Sequence, residues 1–159
     1  MNCMNFVQSI KTCFRKYANF KGRAMRSEFW WFQLFMIVAT YSAMALDHLL
    51  LGYSFENTAT PLALIVIVVT GVPNFAVTAR RLHDIGWSGW IQTPAYTSYA
   101  AYLDIWVPGF SVSALGGSLI IGGVVYWIIM ALFLIKDSQQ KTNKYGSNPK
   151  NPDMGEIFT

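Results

Sequence analysis

His83 and Asp84 are adjacent, and a histidine beside a carboxylate is the residue pair with the clearest catalytic potential in this sequence. A zinc site needs at least three protein ligands, and the second histidine, His48, belongs to a different loop. Ser27 or Ser88 could complete a Ser/His/Asp triad, but adjacent residues rarely orient as base and positioning group, and no oxyanion site is evident. The sequence therefore predicts no catalytic residue, no metal and no cofactor.

Arginine supplies a second kind of chemistry, because its guanidinium binds carboxylates and phosphates through paired hydrogen bonds. The candidate cluster comprises Arg23, Arg26, Glu28, Arg80, Arg81, His83 and Asp84. In one interpretation, each carboxylate binds an arginine of the other loop, which pins the two loops together. In the other interpretation, the arginines form a pocket for an anionic headgroup or a small phosphate.

Long apolar segments must position these charged groups. The chain has 159 residues, of which 53% are hydrophobic and only 13% are charged, whereas soluble domains are about 25% charged. Four segments contain no charged residue and approach the ~20 residues that a membrane helix needs. They are 29–46, 61–79, 85–103 and 114–135. Pro73 predicts a kink in the second segment, which is tolerated where a neighbour satisfies the freed carbonyl group.

The positions of the cations orient the chain. All twelve lysines and arginines precede residue 29, lie at 80–81 or follow residue 135, and such residues favour the cytoplasmic side of a membrane. We therefore expect both termini in the cytoplasm, which requires an even number of crossings. The weakly apolar segment 85–103 must then cross as well, and a re-entrant loop there is the structural alternative. The expected fold is an all-α polytopic membrane protein with four transmembrane helices in a single domain, 1–159.

An amphipathic helix is expected ahead of the first span, over about residues 5–18. Its apolar face is formed by Phe6, Ile10, Phe14 and Tyr17. The helix could lie flat in the headgroup layer or pack against another cytoplasmic segment, and the pattern leaves both open.

Two further features concern the C-terminal half of the chain. Small residues at four-residue spacing in the last span predict close packing between helices, and they are Ala114, Ser118 and Gly122. The polar tail, 136–159, is expected in the cytoplasm. Asn143, Tyr145 and Gly146 predict a turn there, in which glycine permits a positive φ.

Three motifs resemble, in order and spacing, those of the domain-of-unknown-function 805 family of small bacterial inner-membrane proteins. Residues 20–30 read Phe-x-Gly-Arg-x-x-Arg-x-Glu-Phe-Trp, residues 79–90 read Ala-Arg-Arg-Leu-His-Asp-x-Gly-x-Ser-Gly-Trp, and residues 143–149 read Asn-x-Tyr-Gly-x-x-Pro. Trp87 and Lys144 depart from the residues usual in that family. The resemblance implies a bacterial inner-membrane location and several spans. It supplies no agreed activity, so no catalytic residue is carried over.

The function expected from these observations is that of a non-enzymatic membrane protein whose basic cytoplasmic face binds anionic lipid headgroups or a partner protein. A homo-oligomer is compatible with the pattern, and nucleic acid is not an expected partner. The alternative is a small transporter or channel subunit, in which Gln33, Asn74, Gln92 and Thr93 line a polar path. A lipid-modifying enzyme is the third hypothesis.

Overall fold

The computed structural model describes residues 3–53, 60–94 and 113–150, the last range with side chains from residue 121 onward. Within these ranges every regular element is helical. The α-helices are α1 (Phe6–Arg15), α2 (Arg26–Leu51), α3 (Pro61–Asp84) and α4 (Ser113–Ile135), and a 3-10 helix spans Gly89–Gln92. The all-α class expected from the sequence therefore holds for the described part of the chain.

Helix α1 begins with a reciprocal cap. The Asn5 side chain accepts a hydrogen bond from the Gln8 backbone N–H at 2.8 Å, and the Gln8 side chain accepts one from the Asn5 N–H at 3.1 Å. Such a capping box satisfies two of the donors that a helix start leaves open. The helix ends at Arg15, before the predicted residue 18, and residues 16–18 form a turn.

The apolar face of α1 packs on the first turns of α2. The ring of Phe14 meets those of Phe32 and Phe35 edge to face at 5.9 and 6.0 Å, and Phe6 meets Trp31 at 5.8 Å. Aromatic pairs at these distances add to the stabilisation from burial alone. The structure thus shows α1 covering the aromatic start of the first predicted span.

Helices α2 and α3 are both long and apolar enough to cross a membrane. Helix α2 continues five residues beyond the predicted end at residue 46, so Asp47 lies within the helix. Its buried carboxylate accepts hydrogen bonds from the backbone N–H groups of Leu62 and Ala63 at 2.9 and 3.3 Å. A carboxylate at a helix N-terminus satisfies free donors and complements the helix dipole. Asp47 therefore anchors the start of α3 to the end of α2.

Pro73 lies inside α3, where its ring leaves the carbonyl of Val69 without the usual helix donor. The hydroxyl of Tyr17 donates to that carbonyl at 2.9 Å. The neighbour that satisfies the freed group is therefore the residue just beyond α1, and the bond joins this segment to the middle of α3.

Residues 85–92, where the third predicted span begins, form a turn and the 3-10 helix, and helical geometry resumes at Thr93. The expectation of a membrane helix starting at residue 85 is wrong at this end. Gly86 explains the turn, because its φ of +86° lies in the region that favours glycine. Residues 95–103 of that segment lie outside the described residues.

The apolar core lies where α1 packs, at the N-terminal end of α2 and the C-terminal end of α3. It contains side chains from all four α-helices and from the loops beside them, namely Cys13, Ala24, Phe29, Phe32, Val77, Leu82, Ile85, Met130 and Leu134. The Tyr126 hydroxyl of α4 donates to the Ile91 carbonyl of the 3-10 helix at 2.5 Å. This core supports the charged cluster described next.

Candidate functional site: a buried arginine–carboxylate cluster

Asp84, the last residue of α3, stands at the centre of the charged cluster. Its Oδ1 accepts from Nε of Arg23 at 2.9 Å, and its Oδ2 pairs with Nη1 of Arg81. All three side chains are essentially without exposed surface. Hydrogen bonds between ionised partners are the stronger kind, and here one carboxylate serves two guanidinium groups.

Glu28 forms the second buried pair. Its Oε1 lies 2.9 Å from Nη2 of Arg80, again with almost no exposed side-chain surface. Arg80 Nη1 also donates to the carbonyl of Asn19 at 2.6 Å. The Ser9 hydroxyl donates to the Glu28 carbonyl at 2.5 Å, and the Ala24 N–H donates to the Arg80 carbonyl at 3.1 Å. This pair therefore holds α1 and the following loop against the start of α2 and the end of α3.

Arg23 also holds the tail. Its Nη2 donates to the carbonyl of Gln139 at 2.6 Å, and its Nη1 donates to the carbonyls of Lys141 and Gly146 at 3.0 and 3.2 Å. The backbone N–H of Gln139 in turn donates to the carbonyl of Asp84 at 3.2 Å. The tail segment 139–146 thus wraps around one guanidinium group.

Arg81 closes the C-terminal end of α4. Its Nε and Nη2 each donate to the carbonyl of Leu134 at 3.1 Å, and Nη2 also bonds the carbonyl of Lys136. The last carbonyls of a helix have no partner within the helix, and a cation there complements the dipole. The buried cluster holds three guanidinium groups against two carboxylates, so these carbonyl oxygens offset the remaining positive charge.

This geometry separates the two interpretations of the cluster. The carboxylates bind arginines of the other loop, as an internal lattice requires, and Asp84 additionally binds Arg81 of its own helix. Arg23, Arg80 and Arg81 are buried, so their guanidinium groups present no surface to a headgroup. Arg26 differs, because its side chain is 39% exposed and pairs with the exposed Asp137 at 2.7 Å. The headgroup pocket predicted from all four arginines is therefore not formed.

Asp137 carries the outer part of the network. It accepts from Nζ of Lys150 at 2.9 Å as well as from Arg26. The hydrogen bond from Lys150, reinforced by the charge of Arg26, lowers the pKa of the Asp137 carboxyl. Exposed pairs of this kind contribute little to stability because water and salt screen them. Asp137 thus provides an exposed counterpart to the buried Asp84.

His83 belongs to the same region but not to the ionic lattice. Its ring stacks on Tyr145 with centroids 3.7 Å apart, and its Nδ1 lies 3.2 Å from the Gly22 carbonyl oxygen. Because both oxygens of Asp84 bind arginines, Asp84 does not orient the imidazole as a triad would require. Among the described residues no group of three His, Cys, Asp or Glu side chains could hold a metal ion.

The tail turn forms at the residues where the sequence predicted it. The backbones of Asn143 and Gly146 exchange two hydrogen bonds of 3.0 and 3.1 Å, and Gly146 has a φ of +129°. Asn143 Nδ2 donates to the carbonyl of His83 at 3.0 Å. The turn is held by Arg23, which precedes α2, and by His83 at the end of α3.

The small-residue stripe is described only at its last member. Ala114 and Ser118 lie among residues whose side chains are not described, and a Cβ built on Gly122 would meet no atom within 4 Å. This holds for the described residues alone, so the close helix packing expected from the stripe stays a prediction.

The polar residues expected to line a transport path make contacts inside the protein. Gln33 Nε2 of α2 donates to Asn74 Oδ1 of α3 at 2.6 Å, Gln92 Nε2 donates to the Phe75 carbonyl at 3.2 Å, and the Thr93 hydroxyl donates to the Trp90 carbonyl at 2.6 Å. Interhelical bonds of this kind hold membrane helices together.

Two contacts around the cluster could not be predicted from the sequence. Gln139 donates its side-chain N–H to the Ile85 carbonyl at 3.2 Å, and a Cβ on Gly86 would lie 2.6 Å from Gln139 Nε2. Gly86 is part of a motif, but nothing in the sequence names Gln139 as its neighbour. The partner of Tyr17 is equally hidden, since Val69 acts through its backbone.

Two apolar helices of membrane-spanning length, joined at one end by a buried ionic cluster, fit an α-helical membrane protein. Residues 17–147 match the family model described as "Protein of unknown function (DUF805)". The chain belongs to this family.

Curated relatives agree with this class. The chain is 28% identical to Inner membrane protein YhaH of Escherichia coli K12 over 136 residues, which cover 86% of this chain and 91% of the relative. It is 26% identical to Inner membrane protein YhaI of the same strain over 144 residues, which cover 91% of this chain and 97% of the relative. No solved structure gives a significant match.

Proposed function

We propose that this protein is a non-enzymatic inner-membrane protein whose cytoplasmic face binds anionic lipid headgroups. The observation that carries the proposal is that the cations of this face form one buried set and one exposed set. Arg23, Arg80 and Arg81 are buried and hold the face together, whereas six other cations are exposed on the segments that they hold. The exposed set comprises Lys11, Arg15, Lys21, Lys136, Lys141 and Lys144.

The proposed topology follows from where both sets of cations lie. The cluster joins the start of α2, the end of α3 and the end of α4, so these three helix ends share one side of the protein. The exposed set sits on α1, the loop after it and the tail, which the cluster fastens to the same side. Lysine and arginine near span ends favour the cytoplasm, and four crossings with both termini inside place the whole set there.

The exposed cations suit an anionic surface energetically. Each Lys or Arg near a negatively charged leaflet contributes about 1 kcal/mol of attraction, and the effect falls off within a Debye length. Phe20 is also partly exposed beside these cations, and an apolar ring can enter the boundary between headgroups and acyl chains. A basic segment edged with aromatic side chains is typical of attachment to a lipid surface.

The test compares lipid selectivity of charge-altered variants. The protein is reconstituted in nanodiscs that contain equal amounts of a neutral and an anionic phospholipid, and the lipids retained on re-extraction into mild detergent are quantified by mass spectrometry. We expect the wild type to retain an excess of the anionic lipid. The variant Lys11→Gln/Arg15→Gln/Lys21→Gln should lose most of that excess.

The matched control is Lys11→Arg/Arg15→Lys/Lys21→Arg, which changes the same positions but keeps every charge, and it should retain the excess. The corresponding glutamine variant of Lys136, Lys141 and Lys144 shows which half of the surface contributes more. Equal retention of neutral and anionic lipid by the wild type would reject lipid binding and leave a partner protein as the use of this face. Selectivity unchanged in both glutamine variants would also reject it.

A further inference from the structure

A cavity of about 480 Å³ lies beside the arginine cluster, and none of the cluster's arginines lines it. Its walls come from α3, the 3-10 helix, the loop after α1 and the tail turn. The larger residues of the lining are Phe20, Phe75, His83, Trp90, Gln92 and Tyr145. We call it the aromatic cavity. Its volume is within the range of ligand pockets.

The aromatic cavity runs along α3. Phe75, Ala79 and His83 line it at intervals of four residues, so they lie on one face of the helix. At ~1.5 Å per residue, Phe75 and His83 are about 12 Å apart along the helix axis. His83 lies at the end of α3 that carries the arginine cluster, and Phe75 lies deeper in the second predicted span. In the proposed topology, the cavity therefore extends from the cytoplasmic surface into the membrane, which is also the direction of lipid acyl chains.

The surface that the cavity offers to a ligand is mainly apolar. Phe75 and Tyr145 are partly exposed, and Phe20 and Trp90 are exposed by 41% and 77%, so these rings are within reach of an occupant. Gln92 is only 1% exposed, and its Nε2 donates to the Phe75 carbonyl at 3.2 Å. Its amide therefore adds almost no polar surface. Water is a poor occupant of an apolar cavity, and the apolar group that a membrane supplies in its place is an acyl chain.

Gly89 explains how the 3-10 helix forms one wall of the cavity. A Cβ built on Gly89 would lie 2.8 Å from the Cβ of Ala79 on α3, which is closer than two carbon atoms pack. Because glycine has no side chain, the 3-10 helix can rest directly on α3. The neighbouring Trp90 is then held at the rim of the cavity, and tryptophan favours the membrane–water interface.

Two exposed lysines lie near the cytoplasmic end of the cavity. Lys144 Nζ is 4.9 Å from the centroid of the Tyr145 ring, which stacks on His83. Lys21 precedes Gly22, whose carbonyl oxygen lies 3.2 Å from His83 Nδ1. None of the described lining residues is a carboxylate. This end of the cavity therefore favours an anionic head, whereas the deeper end favours a chain.

We propose that the aromatic cavity holds one acyl chain of an anionic membrane phospholipid. The headgroup phosphate pairs with Lys21 and Lys144, and the chain passes Tyr145 and extends toward Phe75. This inference rests on the proposed function and states where one of the lipids attracted by the basic face is seated. It adds a defined site to a surface that otherwise attracts lipid by charge alone.

The test is photo-crosslinking of the full-length protein in nanodiscs. Two phosphatidylglycerol probes carry a diazirine on one acyl chain, either next to the ester or about 12 Å farther along the chain. After irradiation, tandem mass spectrometry locates the labelled residues. The ester-side probe should label Tyr145 or His83, and the deeper probe should label Phe75. Phosphatidylcholine probes with the same chains should label Phe75 at least about fivefold less, because they carry no net negative charge.

Variants of single lysines link the labelling to the cavity. Lys144→Gln removes one of the two cations and should lower labelling of Phe75 by the deeper phosphatidylglycerol probe about fivefold, whereas Lys144→Arg should preserve it. Lys150→Gln is the matched control, because it removes a tail lysine whose ammonium pairs with Asp137 at 2.9 Å. It should change the labelling less than about twofold.

The possible outcomes also separate this inference from the proposed function. Labelling confined to the exposed apolar residues Val68 and Ile128, or equal labelling of Phe75 by anionic and neutral probes, would overturn the cavity proposal. If the wild type still retained an excess of anionic lipid, the basic face alone would then account for it. Absence of both the excess and the labelling of Phe75 would reject the two proposals together.

Discussion

Replacing Asp84 by Asn removes the shared charge of the buried cluster while keeping the size of the side chain. The carboxylate currently serves Nε of Arg23 at 2.9 Å and Nη1 of Arg81, and none of the three groups has more than 1% of its side chain exposed. An amide offers one acceptor in place of two charged oxygens. Two guanidinium groups would then remain buried without a negative partner.

The expected cost follows from the burial of these groups. Breaking a buried ion pair by removing one partner typically costs about 3–5 kcal/mol, because the remaining charge stays desolvated. The carbonyl bonds that Arg23 and Arg81 make to the tail and to α4 moderate this loss. For a chain of this length, 1 kcal/mol corresponds to roughly 2–4 °C in Tm. Asp84→Asn should therefore lower the Tm by roughly 6–20 °C.

The assay is thermal unfolding of the purified protein in detergent, followed by tryptophan fluorescence. Asp137→Asn is the matched control, because it makes the same chemical change at a carboxylate that also pairs with two cations but is 67% exposed. Its effect should be small beside that of Asp84→Asn, since screening by water and salt weakens exposed pairs. Equal shifts for the two variants would refute the argument that burial gives the cluster its stabilising role.

Two further predictions concern α1 and the segment around it. Tyr17→Phe should cost about 1–3 kcal/mol in unfolding free energy, because the carbonyl of Val69 loses its donor; the same change in a Pro73→Ala background should cost less, since the helix then supplies that N–H, and equal costs in the two backgrounds would contradict this. The buried Cys13 thiol has a pKa raised to about 12, mainly by burial and then by the charge of Glu28, so it stays protonated and unreactive at neutral pH. A membrane-permeant maleimide should label the exposed Cys3 alone in the native protein, and labelling of Cys13 without denaturant would show that α1 is not packed. An impermeant maleimide should leave Cys3 unlabelled in intact cells if the N-terminus is cytoplasmic, and rapid labelling there would contradict the proposed topology.

The sequence indicated the helical class and the charged motifs, because both depend on local patterns. Absence of charge over the lengths of α2 and α3 needs no tertiary information to suggest a membrane helix. The tail turn was also accessible, since Gly146 permits a positive φ. The ends of the elements were not. Helix α2 passes Asp47 because that carboxylate caps α3, and the third segment starts with a turn because Gly86 and Gly89 pack against other elements.

The sequence alone determined which residues need a charged partner. Arginines and carboxylates beside apolar segments must pair with each other or, for the arginines, with an external anion. Tertiary structure decided between these outcomes, because only folding shows whether a guanidinium group is buried. Packing placed Arg23, Arg80 and Arg81 inside and left Arg26 and the lysines outside. It also created a cavity whose lining comes from α3, the 3-10 helix, the loop after α1 and the tail turn. Contacts between distant backbone carbonyls and side chains leave no periodic trace in a sequence, and that is why the partners of Arg23, Arg81 and Tyr17 could be found only in the folded protein.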